Sequence, residues 1–241
     1  MSSSLLAAWA YLADTPLFWL GFTLAAYLLA ATIYQRSGGN PLLLPVFTAV
    51  IGVVAFLYAT GTPYEVYAKN TWLLEFLIGP ATVALAIPLY SQLGRLKRLF
   101  LPVMVALLAG SACAILSAIG IAWALGASVQ TQMSLGPKSA TMPIAMEVAA
   151  INGGLPSLTT VAVAITGISG AMICGLLLKV LRIHDPATRG FALGLSAHAI
   201  GVARSFQTNE TAGAFAALGM GLNGIATAVL MPLLLSLLAL F

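Results

Sequence analysis

From Leu99 to Leu125 the chain carries no charged side chain, and other long apolar runs recur along its length. About 20 consecutive apolar residues let a helix cross a hydrocarbon core of about 30 Å. The chain has 241 residues, 61% of them hydrophobic and 7% charged, with a mean hydropathy of +1.03. Soluble domains carry roughly 25% charged residues, so a soluble fold is excluded. A transmembrane β-barrel would alternate apolar and polar residues over stretches of about ten. The net charge of +4 leaves no footprint for nucleic acid, and Cys113 and Cys174 sit inside apolar runs rather than in a disulfide framework. An all-α polytopic membrane protein remains. At roughly 30 residues per pass it holds about six to eight membrane elements.

The expected spans are Leu17–Tyr34, Leu42–Tyr58, Trp72–Tyr90, Leu99–Leu125, Leu158–Val180 and Thr211–Phe241, with a short helix over Ala192–Phe206. Ser2–Ser4 lead straight into Leu5 and Leu6 without a basic region, so no cleavable signal peptide is expected. Residues 1–71 read as scaffold helices, and 72–241 as a core with broken helices near 77–90 and 134–150. Six of the ten basic residues fall in two loops, Arg95, Lys97, Arg98 and Lys179, Arg182, Arg189. The positive-inside rule places both loops in the cytoplasm. One span leaves the first loop and another returns to the second. Ser128–Asn152 must then begin and end outside, as a re-entrant hairpin.

Leu77-Ile78-Gly79-Pro80-Ala81-Thr82 and Ser134-Leu135-Gly136-Pro137-Lys138-Ser139 share a pattern. Each places Gly-Pro after an apolar residue and a hydroxyl residue soon after. A second proline follows each, Pro88 and Pro143, and Gly110 and Gly167 stand at the same offset. Weak similarity of this kind marks inverted-repeat transporters. Proline frees the carbonyl one turn back, and non-helical backbone at membrane depth survives only in protein or beside a water-filled cavity. If both segments break, half-helices beginning near Pro80 and Pro137 meet near the midplane and aim their N–H groups at an anion. The alternative is that Pro80 and Pro137 are ordinary kinks.

Few polar residues remain. Lys138, with Ser139 and Thr141, suits a carboxylate, or else it snorkels to the interface. Thr82 offers a hydroxyl in the first segment. Glu147 reads as a proton-coupling carboxylate with its acidity weakened by burial, or as a structural partner of a basic residue. His198 suits proton relay and Arg204 two-point binding of a carboxylate; the other reading is a surface helix holding a satisfied histidine. Asn223 reads as helix-packing glue. No metal-ligand cluster, cofactor fingerprint or catalytic triad stands out, so neither a metal, a cofactor nor an enzyme is expected.

The stretch Leu135–Glu147, Arg189-Gly190, Ser196-Ala197-His198-Ala199-Ile200-Gly201 with Ala203-Arg204, and Gly79–Leu85 with Pro88-Leu89-Tyr90 resemble the signature of the LrgB/CidB family across nearly the whole chain. Met142 and Val202 depart from it, where threonine is common. The resemblance implies two accounts. Bacterial members are described as holin/antiholin-like proteins that modulate murein hydrolase activity and lysis beside a small LrgA/CidA-type membrane partner. A plastid relative is a glycolate/glycerate translocator, and bacterial relatives are linked to pyruvate and other short carboxylates. Residues that break helices and place charge in the membrane favour a carrier of small 2-hydroxy- or 2-oxo-carboxylates. Its site would use Thr82, Lys138, Ser139, Thr141, His198 and Arg204, with Glu147 or His198 coupling protons. A homodimer in the bacterial inner membrane is the expected setting.

Overall fold

A computed structural model describes Leu12 and residues 14–237, and every described element is helical. The readings of Ser2–Leu6 and of residues 238–241 lie outside the described residues. The chain divides after Ala84 into two compact units.

In the first unit, α1 (Pro16–Arg36) opens on proline at its first position, where the missing N–H costs nothing. It packs against α2 (Pro45–Thr60), which ends at Gly61 in the left-handed region, φ 64°. Fully buried Trp19 lies edge-on to Tyr67 of α3 (Tyr64–Asn70), ring centroids 5.5 Å apart. Phe22 lies 4.3 Å from Phe56 in the same cluster. Thr23 donates its hydroxyl to the Trp19 carbonyl and lies 3.0 Å from the Tyr67 hydroxyl. At 16 residues, α2 spans about 24 Å, short of a full crossing.

The last helix of this unit, α4 (Trp72–Ala84), buries no residue and runs unbroken through Gly79 and Pro80. The expected break there is corrected. Proline removes one backbone bond, but neighbouring hydroxyls and small adjustments tolerate this in an apolar helix. A turn comes only at Leu85, before α5 (Ala86–Ser91) with Pro88 inside it. Taken as one stretch, Trp72–Ser91 is one of five helices long and apolar enough to cross a membrane. The others are α1, α7 (Phe100–Ala124), α10 (Pro156–Val180) and α12 (Glu210–Leu237).

The second unit is built around α12, the most buried of these five. After α6 (Leu93–Arg98), α7 carries the chain away from the first basic loop, and α10 brings it back to the second. An ion pair between Arg95 and Asp185 holds these loops at one end, as expected for loops on one side of a membrane. At the far end Ile115 and Ile119 of α7 cluster with Met133, Val148, Met231 and Leu235. Between α7 and α10 the chain forms α8 (Val129–Leu135), a tip over residues 136–141, and α9 (Met142–Ile151). At about 10 and 15 Å, neither helix can cross. Leu155 donates its amide to the Ser134 hydroxyl at 2.7 Å, and Thr159 donates its hydroxyl to the Ser134 carbonyl at 2.9 Å. The segment therefore returns to the end it left, as the charge argument predicts.

A second hairpin was not expected. In place of a short helix over Ala192–Phe206, α11 (Pro186–Phe206) starts at the basic end and breaks at His198, whose φ of 41° and ψ of −133° are non-helical. β-Carbons at Gly190 and Gly194 would overlap the Ala212 and Ala216 carbonyls, so the first arm runs parallel to α12 at backbone contact. Val202 also clusters with Ala216, and Phe206 lies against Gly213. The second arm thus descends α12 in the opposite sense. Gly201 reaches the Leu193 carbonyl, eight residues earlier, a closeness no continuous helix permits.

Candidate functional site

The two hairpin tips meet on one side chain. Asn223, 1% exposed in α12, donates through its amide nitrogen to the Ser139 carbonyl at 3.0 Å and to the Leu195 carbonyl at 3.1 Å. Its oxygen accepts from the Ser111 hydroxyl at 2.6 Å. Ser111 stands close to half-way along α7, about 17 Å from its start. The first hairpin enters from the far end and the second from the basic end, and both reach this depth. Two opposed broken helices thus meet at mid-depth, but the second is α11 and not the expected Gly79-Pro80 segment.

The first tip begins where Gly136 closes α8, with fully buried Pro137 after it. Lys138 is half-buried, and among the described residues its ammonium has no ion-pair or hydrogen-bond partner; Arg95–Asp185 is the ion pair found there. The helix after the tip starts at Met142 rather than at Pro137, with Pro143 in its first turn, where it initiates the helix instead of breaking it. Thr141 occupies the N-cap position with extended backbone, yet its hydroxyl caps nothing. The amides of Ser139, Thr141 and Met142 donate to no described carbonyl. A lysine, free hydroxyls and free amides at a helix start are what an anion needs.

His198, 6% exposed, lies 3.0 Å through Nε2 from the Val163 carbonyl. The ring fits because residue 167 is glycine; a β-carbon there would stand 2.5 Å from it. Val163 clusters with Ala140 and Ala145, so the imidazole is tied to the helix that also packs against the first tip. Arg204 is half-buried on the returning arm of α11. Glu147 is exposed on α9, and the expectation of a buried carboxylate is corrected: nine residues of helix and tip turn it outward from the Ala145, Val148, Ala149 face that packs inward. Thr82 belongs to the first unit, is exposed, and donates its hydroxyl to the Ile78 carbonyl at 2.7 Å, so it is engaged along its own helix. No group of three metal-ligating side chains gathers among the described residues.

Asn223 is the helix-packing glue expected from the sequence, here joining α7 to both tips, whereas Ser111 was not singled out. Both carried a signal: each is an isolated hydrogen-bonding side chain beside glycine within an apolar helix.

Outside the membrane-spanning segments, Asp185 caps α11. Partial burial tends to raise its pKa, but the Thr188 amide at 2.8 Å, the Thr188 hydroxyl at 2.9 Å and the Arg95 guanidinium outweigh this and hold the carboxyl below its ordinary range.

Five long apolar helices and two opposed hairpins braced at mid-depth define a multi-pass, all-α membrane protein with a broken-helix core. The LrgB-like family model matches residues 23–237, and the chain belongs to that family. It is 32% identical to the antiholin-like protein LrgB of Bacillus cereus (strain B4264), over 91% of this chain and 95% of the relative. The antiholin-like protein LrgB of Bacillus anthracis (strain A0248) matches to the same extent. No solved structure matches.

Proposed function

We propose that this protein is a carrier of small monocarboxylates, 2-hydroxy or 2-oxo acids of the glycolate, glycerate and pyruvate kind. The observation that carries the reading is Lys138: a cation without a partner, in a non-helical tip next to the residue braced at mid-membrane depth. An insertion cost of about 3 kcal/mol falls on a lysine at the bilayer centre. A bound carboxylate offsets that cost, and free amides at the start of α9 favour the same charge. Ser139 and Thr141 would hydrogen-bond the substrate, while His198 and Arg204 would complete the cavity from the second hairpin. Glu147, facing outward, or His198 would couple protons. The carrier would act in the bacterial inner membrane as a homodimer, with an LrgA/CidA-type small protein as partner, and without cofactor or enzymatic chemistry.

Uptake of labelled glycolate, glycerate or pyruvate into proteoliposomes tests this. Saturable uptake, lost in Lys138→Ala, supports it. Leakage of solutes regardless of size, unchanged by that substitution, overturns it.

The names of the relatives favour a second reading, an antiholin-like protein, a role that the family resemblance ties to murein hydrolase activity and lysis. In that case deletion changes autolysis while the purified protein moves no carboxylate.

A further inference from the structure

We propose that the groove between α7 and the first arm of α11 binds an anionic phospholipid from the leaflet at the basic end. The groove has a volume of about 360 Å³ and is almost wholly apolar, walled by Leu99, Val103, Gly110, Phe191 and Leu195 with Phe215 of α12. Its upper rim is at Leu99 and Thr188, beside the basic loops, and its floor is at Gly110 and Leu195. Leu99 to Gly110 is eleven residues of α7, hence about 16 Å. That is close to half of a hydrocarbon core of about 30 Å, the depth of a single leaflet. A slot from headgroup level to mid-depth is the shape of one acyl chain, and its lining offers nothing to a hydrated carboxylate.

The rim chooses the headgroup. Arg95 is engaged, paired with Asp185 and lying 5.9 Å over the Phe215 ring that helps wall the groove. Asp185 is thereby answered. Beside them on α6 stand Lys97 and Arg98 with no acidic partner among the described residues. Arg98 directly precedes the rim residue Leu99, whereas Arg189, one residue past Thr188, turns about 100° from it and lies near Cys174 of α10. Arg98 spends only its Nε on the Gly94 carbonyl, at 3.3 Å, which leaves its terminal N–H groups for a phosphate. An apolar slot beneath an unneutralised basic rim fits a chain carrying a net negative headgroup, whereas a zwitterionic lipid matches only the slot. A chain seated there would rest on Phe191 and Leu195, and so on the arm whose Leu195 carbonyl is tied to Asn223. The site is independent of the transport reading.

Native mass spectrometry of the detergent-purified protein, exposed to equimolar phosphatidylglycerol and phosphatidylcholine of identical chains, tests the proposal. The native protein is expected to retain one phosphatidylglycerol in preference. Ala106→Trp, which fills the slot from α7, is expected to lose both lipids; Ala106→Leu must move retention the same way and covers failure of the larger variant to fold. Arg98→Ala is expected to keep the slot and lower the preference roughly fivefold. Equal retention of the two lipids by the native protein overturns the proposal. So does phosphatidylglycerol retention untouched by filling the slot, and so does a second protein copy occupying the groove to the exclusion of lipid.

Discussion

Asn223→Ala removes the brace that joins both hairpin tips to α7. Three hydrogen bonds go at once: two donated by the amide nitrogen, to Ser139 and Leu195, and one accepted from Ser111. Side-chain hydrogen bonds between membrane helices are worth about 0.6 kcal/mol on average and about 1.7 at most. Three of them give a loss of about 2 to 5 kcal/mol. Burial favours the upper part of that range, because Asn223 and Ser111 are essentially inaccessible and the orphaned carbonyls and hydroxyl cannot turn to water. Ser111→Ala deletes one of the three bonds and leaves the amide nitrogen satisfied, so it should cost about a third as much. Adding Ser111→Ala to Asn223→Ala should cost less than Ser111→Ala alone, since the bond is already absent. Reversible unfolding by sodium dodecyl sulfate titration in mixed micelles, followed by circular dichroism, measures all three variants. The brace is refuted by an Asn223→Ala cost no larger than that of Ser111→Ala, or by strict additivity of the pair.

Other expectations follow from the same geometry. Gly194→Ala forces a β-carbon onto the Ala216 carbonyl oxygen and should leave little monodisperse protein in detergent, whereas Gly52→Ala, with open space around it, should be neutral or stabilising by up to about 1 kcal/mol. Asp185→Ala removes the cap of α11 and should cost about 1 kcal/mol near pH 7, the exposed ion pair adding less. Because the folded carboxyl titrates below its ordinary value, that contribution is present above about pH 4 and fades as pH falls through the folded pKa; a gap between variant and native protein that stays constant from pH 7 to pH 3 contradicts it. In a background without Cys113 and Cys174, cysteines at Ser128 and Asn152 should label from one side and cysteines at Arg182 and Gln207 from the other. Opposite-side labelling within either pair removes the corresponding hairpin.

Long spans and the first hairpin were legible because the forces that shape them act through composition. Apolar runs set α1, α7, α10 and α12 to within a few residues, and two basic loops, now joined through Arg95 and Asp185, required an even return between them. Gly-Pro was a poorer guide. At Gly136-Pro137 it ends a helix because Pro137 is buried against neighbours and the tip is held by Asn223. At Gly79-Pro80 nothing buries the segment, and the helix passes through. The same dipeptide thus reports a break only where tertiary contacts take up the freed backbone. The second hairpin has no proline at its tip, and its reversal rests on the φ of one histidine, which periodicity does not reveal. Its trace in the sequence is spacing: Gly190 and Gly194 allow backbone contact with α12, and Gly201 allows the arms to close.

His198 bears on where the binding charge resides. A non-glycine residue at φ 41° and ψ −133° is held in strained backbone, which costs of order 1–3 kcal/mol. Glycine would adopt that turn without the steric penalty, so the structure carries strain in order to keep an imidazole there. The ring is not left open, however: it is buried, it contacts the Val163 carbonyl, and Gly167 is hollowed to admit it. Those contacts make it a strut that fixes the second tip against α10. Lys138 on the opposing tip is the reverse case, with unstrained backbone and a charge that nothing in the described chain answers. These two residues therefore divide the work: His198 supplies position and Lys138 supplies charge. On that division, carboxylate transport stands or falls with Lys138 before it does with His198.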